Sequence, residues 1–161
     1  MRKTCIVMVG LAVALAGCGD DGGSDNPDGS DKFTKAQYIA RGDAICREFR
    51  AARRQYDRDV DALPDDARVE DLAPIFGRGV AAAEVATKKF RALPIPGGDE
   101  AELGAYLDGQ AQGLRLTRRI QQAAADGSLA KVQKIIKDNE QEADRQDQRA
   151  KGYGFEVCGT D

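Results

Sequence analysis

The chain has 161 residues, 42% hydrophobic and 32% charged, with 24 Lys and Arg against 27 Asp and Glu, and no histidine. That is one domain's worth of material. The lack of histidine removes Ser-His-Asp and Cys-His nucleophile pairs, haem ligation by imidazole, the usual catalytic zinc sets and the Glu-x-x-His ligands of di-iron bundles.

The first residues, "MRK", are basic, and the run from Thr4 to Ala14 is apolar apart from Thr4 and Gly10. A helix needs roughly 20 residues to span a hydrocarbon core, and this run is about half that. A basic start before a short apolar run reads as a secretory signal peptide, residues 1–17. A buried N-terminal helix is the other reading, but the polar segment that follows leaves it nothing to pack against. No later segment is apolar enough to span a membrane.

The apolar run ends in Leu15-Ala16-Gly17-Cys18, which resembles the lipobox of bacterial lipoproteins. The resemblance implies that the Cys18 thiol receives a diacylglycerol and that cleavage leaves Cys18 as the mature N-terminus. Each buried acyl methylene adds about 0.8 kcal/mol, so two or three chains give stable anchoring to the membrane. The expected location is extracytoplasmic, on the outer face of the cytoplasmic membrane or in the periplasm.

The next stretch, "GDDGGSDNPDGSD", contains nothing able to build a core. With Cys18 it makes residues 18–31 a lipidated cysteine followed by a disordered, solvated tether. Such a chain has an r.m.s. span of roughly 20 Å. Its five Asp account for the net charge once Arg2 and Lys3 leave with the signal, and an anionic lipid surface repels them. They lack the regular ligand spacing and closing Glu of an EF-hand loop. The remaining segment, 32–161, is charge-neutral, which gives no general electrostatic case for nucleic acid or a membrane surface.

With Cys5 in the signal and Cys18 acylated, Cys46 and Cys158 remain. Two cysteines in an exported domain usually pair, and closing a loop of that length stabilises a fold by up to roughly 4.7 kcal/mol in the chain-entropy account. The alternative is a reactive free thiol.

Every segment of 32–161 has helical period. Thr34 and Gln37 form a capping box, with Phe33 and Tyr38 as a hydrophobic staple. Tyr38, Ile45, Phe49, Ala52, Tyr56, Val60 and Leu63 then make one stripe that Pro64 stops. A second helical segment begins near Asp65–Asp66, where Pro74, Gly77 and Gly79 predict a short first turn, a break or kink and then the main helix, with a stop at "LPIPGG". Asp99 with Glu102 caps a third, whose face is Leu103, Tyr106, Leu107, Leu114, Thr117, Ile120 and Ala124. The fourth runs from about Leu129 to Lys151, with Leu129, Val132, Ile135 and Ile136 opening its apolar face and Gly152 at C′. Beyond Lys137 only Ala143 and Ala150 continue that face, so the second half packs thinly or lies in water.

Helices of this length joined by short loops predict an all-α fold, an antiparallel up-down-up-down four-helix bundle. In that topology the end of helix four lies beside the start of helix one. Cys46 is then about 18 Å along the axis, and an extended tail from Gly152 to Cys158 reaches roughly 20 Å. The tail is therefore expected to climb helix one and be linked to it by the disulfide. Gly42, one turn before Cys46, either makes room for Tyr153 or Phe155 or is a neutral helix glycine.

"DAIC" in the first helix, the central "LPIP" and the terminal "YGFEVCG" resemble the small helical lipoproteins encoded in numbers by actinobacteria and similar high-GC bacteria, over roughly Phe33 to Gly159. The resemblance implies the fold and the Cys46–Cys158 bridge and carries no activity.

There is no Gly-rich phosphate loop and no CxxC. No acidic residue falls inside an apolar stripe, where burial would raise its pKa. The expectation is a noncatalytic protein with no cofactor and no metal site. Three features could bind something. Arg47, Arg50, Arg54 and Arg58, with Arg115, Arg118 and Arg119 on helix three, could meet a polyanion or form solvated faces. Asn139 and Gln146 stand where core residues belong and could face a polar cleft, a partner helix or water. Gly109 and Gly113 permit close helix approach. The composite expectation is a lipid-anchored binding or interaction module at the cell envelope with an envelope protein partner, the alternative being a small-molecule-binding lipoprotein associated with a transporter. A sizeable pocket near the polar half of helix four favours the second, and a closed core with an exposed apolar patch the first.

Overall fold

A computed structural model describes residues 33–160. The signal peptide expected over 1–17, the lipidation site Cys18 and the tether over 18–31 lie outside the described residues. Four helices carry the domain: α1 (Lys35–Asp61), α2 (Ala73–Arg91), α3 (Glu100–Ala125) and α4 (Leu129–Tyr153), with a short 3-10 turn, Val69–Leu72, leading into α2. There is no strand among the described residues.

The start of α1 follows its sequence signals. The Gln37 amide donates to Thr34 Oγ1 at 3.2 Å and the Thr34 amide to Gln37 Oε1 at 2.8 Å, closing the box. Phe33 and Tyr38 meet edge to face at 6.2 Å. The short first turn expected before the main helix is the 3-10 segment Val69–Leu72, and α2 then runs as one helix through Gly77 and Gly79. Pro74 sits in the first turn, where its missing N–H costs no hydrogen bond. Gly77 answers packing, since a Cβ there would stand 3.0 Å from the Gln121 amide of α3.

Three helix ends differ from expectation. Helix α2, expected to begin near Asp65–Asp66, begins at Ala73, behind the Val69–Leu72 turn. Asp99 does not cap α3 with its side chain, and its Oδ2 accepts the Tyr153 hydroxyl at 2.6 Å. Helix α4 runs on to Tyr153, and Gly154, at φ 110°, takes the left-handed position expected of Gly152. The Phe155 amide donates to Ala150 O and the Gly154 amide to Lys151 O, a Schellman pair. The two extra residues are accompanied by burial of the Tyr153 ring against Tyr38, 5.8 Å between centroids.

Helix α1 packs on α2, α2 on α3 and α3 on α4. The core falls into two clusters. One gathers Tyr38 and Ile45 of α1, Phe90 of α2, Leu103 and Tyr106 of α3, Ala150 and Tyr153 of α4, and Phe155 and Cys158 of the tail. The other joins Ala123 and Ala124 of α3 to Val132 and Ile135 of α4, under Leu72, Phe76 and Ile120. No α1 residue belongs to the second cluster. Leu129 and Ile136, expected to open the apolar face of α4, are 52% and 46% exposed.

Residues 154–160 form bends and turns rather than the extended tail expected. Ile39 lies beside Gly154, Gly42 beside Phe155, and Cys46 is bonded to Cys158.

Candidate functional site

The lower half of α1 is committed to the tail. Asp43 is 5% exposed, and its carboxylate accepts three backbone N–H groups: Glu156 on Oδ2 at 3.1 Å, Val157 and Cys158 on Oδ1 at 2.8 and 3.2 Å. Asp43 lies outside the apolar stripe read from the sequence, and it is buried all the same, under the tail. Burial is tolerated because the charge is spent on three donors that the turn would otherwise leave unpaired. Asp43 lies one turn before Cys46 in "DAIC", and that spacing beside a bridging cysteine is the one signal that could have revealed it. Arg50, counted among the surface arginines, donates through Nη2 to Val157 O at 2.6 Å and to Thr160 Oγ1, so it closes the tail from above. Burial pushes the Tyr38 hydroxyl up to about 12, and that hydroxyl has no hydrogen-bond partner among the described residues.

The polar half of α4 does meet a cleft. Asn139 and Gln146 both line a hollow of about 240 Å³ between α3 and α4, floored by Gly109, Gly113 and Leu116. Their amides are largely engaged: Asn139 Nδ2 donates to Ile135 O at 2.8 Å, and Gln146 Nε2 to Tyr106 O at 2.8 Å. Gln146 explains Gly109, because a Cβ there would fall 1.9 Å from Gln146 Oε1. Beside it Glu142 receives Arg145 and Arg149, which hold its carboxyl below the usual range. The α3 arginines are not brought into this cleft. Arg118 pairs across to Glu84 of α2 at 2.6 Å, and Arg115 and Arg119 are exposed.

A larger hollow of about 320 Å³ opens where α1 fails to join the second core cluster. Phe49 and Tyr56 of α1, Phe76 of α2, Ile120 of α3 and Ile136 of α4 frame it, and Arg53 and Thr117 bring its polar atoms. Sequence accounts for the space. The surfaces of α1 and α2 that face each other carry Ala52, Gly79 and Ala82, too small to fill what the three aromatic rings enclose. Tyr56 and Phe76 touch at 5.8 Å, and burial raises the Tyr56 pKa above its ordinary value, with Asp57 adding to the shift. Phe49, Ala52 and Ala82 also line a second hollow toward Val85, which is 56% exposed, so the apolar surface continues along the α1–α2 seam.

Among the described residues no group of three His, Cys, Asp or Glu is placed to hold a metal, and no helix is long and apolar enough to cross a membrane. The chain matches no family model, no curated protein and no solved structure.

Proposed function

We propose that this protein is a noncatalytic binding module of the bacterial cell envelope, exported by residues 1–17 and held at the membrane by a lipid on Cys18. The observation that carries the reading is the four-helix hollow: a fold stapled at one end leaves an aromatic-lined cavity open at the other. A cavity of that size lies at the lower end of ordinary ligand pockets. The Cys46–Cys158 disulfide supports an oxidising compartment. The order of packing, and the meeting of the α1 start with the α4 end through Tyr38 and Tyr153, support an up-down-up-down bundle.

The family of small actinobacterial helical lipoproteins is part of the same proposal, resting on "LAGC", "DAIC" and "YGFEVCG". Fractionation tests the anchor. Cys18→Ala moves the protein from the membrane pellet to the soluble fraction, and retention after detergent-free washing overturns the lipid reading. The cleft shared by Asn139 and Gln146 favours a second reading, a polar small-molecule carrier associated with a transporter. Under that reading Asn139→Leu abolishes ligand-induced thermal stabilisation and Ile136→Glu leaves it intact.

A further inference from the structure

We infer that the hollow between α1, α2, α3 and α4 binds the aliphatic chain of a single-chain anionic amphiphile of the fatty-acid class, with its carboxylate at Arg53. The inference rests on the binding-module reading and names its ligand. Lining gives the first argument. The walls are three aromatic rings and two isoleucines contributed by four separate helices, an apolar surface suited to an aliphatic chain. Volume gives the second. About 320 Å³ equals roughly ten liquid-water volumes, and a methylene takes up nearly the same space, so a chain of about ten to twelve carbons fills it. Charge gives the third. Arg53 belongs both to this hollow and to a neighbouring one lined by Arg50, Arg54 and Asp57, so the apolar slot opens beside a patch with three guanidinium groups and one carboxylate. Within a segment that is charge-neutral overall, a cationic mouth on an apolar slot is the complement of an anionic head on an alkyl chain.

The test uses the full chain carrying Cys18→Ala, so that no acyl group of its own competes, titrated calorimetrically with alkanoates below their micellar concentrations. Saturable one-to-one binding is expected, tightening about fourfold per added methylene from octanoate to dodecanoate and then levelling as the slot fills. Dodecyltrimethylammonium, the same chain with a cationic head, binds at least tenfold more weakly. Ile136→Glu abolishes dodecanoate binding, which also separates the slot from the apolar leader, and Arg53→Glu weakens it about tenfold without removing the dependence on chain length. Ile136 is 46% exposed, so the fold survives its replacement, and unchanged circular dichroism checks this. Indifference to head-group charge, persistence of binding in Ile136→Glu, or no binding at all overturns the inference. So does a dimer that Ile136→Glu dissociates, since a second copy then covers the slot. Loss of amphiphile binding with membrane release still seen on fractionation removes the ligand class alone, whereas retention in the membrane pellet removes the anchor.

Discussion

Gly42 and Gly109 are both helix-interior glycines beneath a neighbouring side chain, yet their substitutions should behave differently. At Gly42 an added Cβ would lie 2.3 Å from the Phe155 ring and 3.0 Å from Phe90, and Phe155 is buried in the core. Helix propensity favours Ala by about 1 kcal/mol, but overpacking costs about 1–3 kcal/mol. Gly42→Ala therefore destabilises by up to about 2 kcal/mol in urea denaturation, and Phe155→Leu in the same chain recovers part of the loss. At Gly109 the obstacle is the far end of the Gln146 side chain, which can swing away, so Gly109→Ala exchanges one hydrogen bond to Tyr106 O for propensity and comes out near neutral. Asp43→Ala removes the acceptor for three amides and costs about 3 kcal/mol, whereas Asp43→Asn, which keeps one carbonyl oxygen for Val157 and Cys158, costs less. Gly42 was legible as a position that needs explaining. Asp43 was not, because its partners are 113 to 115 residues away and only its spacing from Cys46 sets it apart in the sequence.

Helices α1, α3 and α4 were legible to within a few residues, since apolar period, the capping box at Thr34 and the prolines are local signals, whereas α2, expected from near Asp65–Asp66, starts only at Ala73. What escaped was decided by contacts between elements. Asp99 has the sequence of a cap and serves Tyr153, and Gly154 takes the place of Gly152 because two further helical residues bury the Tyr153 ring against Tyr38. The tail shows how two constraints share one element. The disulfide closes a separation of 112 residues, worth up to about 4.7 kcal/mol by restricting the unfolded chain. The Asp43 and Arg50 hydrogen bonds act on the folded state and are expected to outlast it. In reduced protein, hydrogen exchange should therefore still show the amides of Glu156, Val157 and Cys158 protected relative to an unfolded peptide, although the midpoint in urea falls. Exchange at the unfolded rate would mean that the covalent bond alone holds the tail. Asp43→Ala combined with reduction is expected to free it.

For the whole molecule, the two core clusters differ in who contributes to them, and the sequence could not show this because the apolar stripe of α1 runs on through Phe49, Ala52 and Tyr56 as if it were core throughout. The closed end holds three of the four tyrosines. Tyr38, Tyr106 and Tyr153 are all at most 3% exposed, and burial raises all three above the ordinary phenol value; at Tyr153 the carboxylate of Asp99 adds to the shift, and at Tyr106 the Gln110 hydrogen bond opposes it. The folded protein therefore keeps protons that the unfolded chain releases near pH 10, so the stabilisation is complete below that pH and is lost as pH rises above it. Each tyrosine that must ionise on unfolding subtracts up to about 1.4 kcal/mol per pH unit, and three together about 4 kcal/mol. With no histidine in the chain and Cys46 and Cys158 bonded, few groups titrate between the carboxylates and the tyrosines. Urea midpoints should thus be nearly flat from about pH 6 to 9 and fall steeply above 10. Near-ultraviolet phenolate absorbance is expected to rise together with the loss of helical circular dichroism. A phenolate titration complete near pH 10 with the helices intact would mean that water reaches these hydroxyls and that the closed end is not closed.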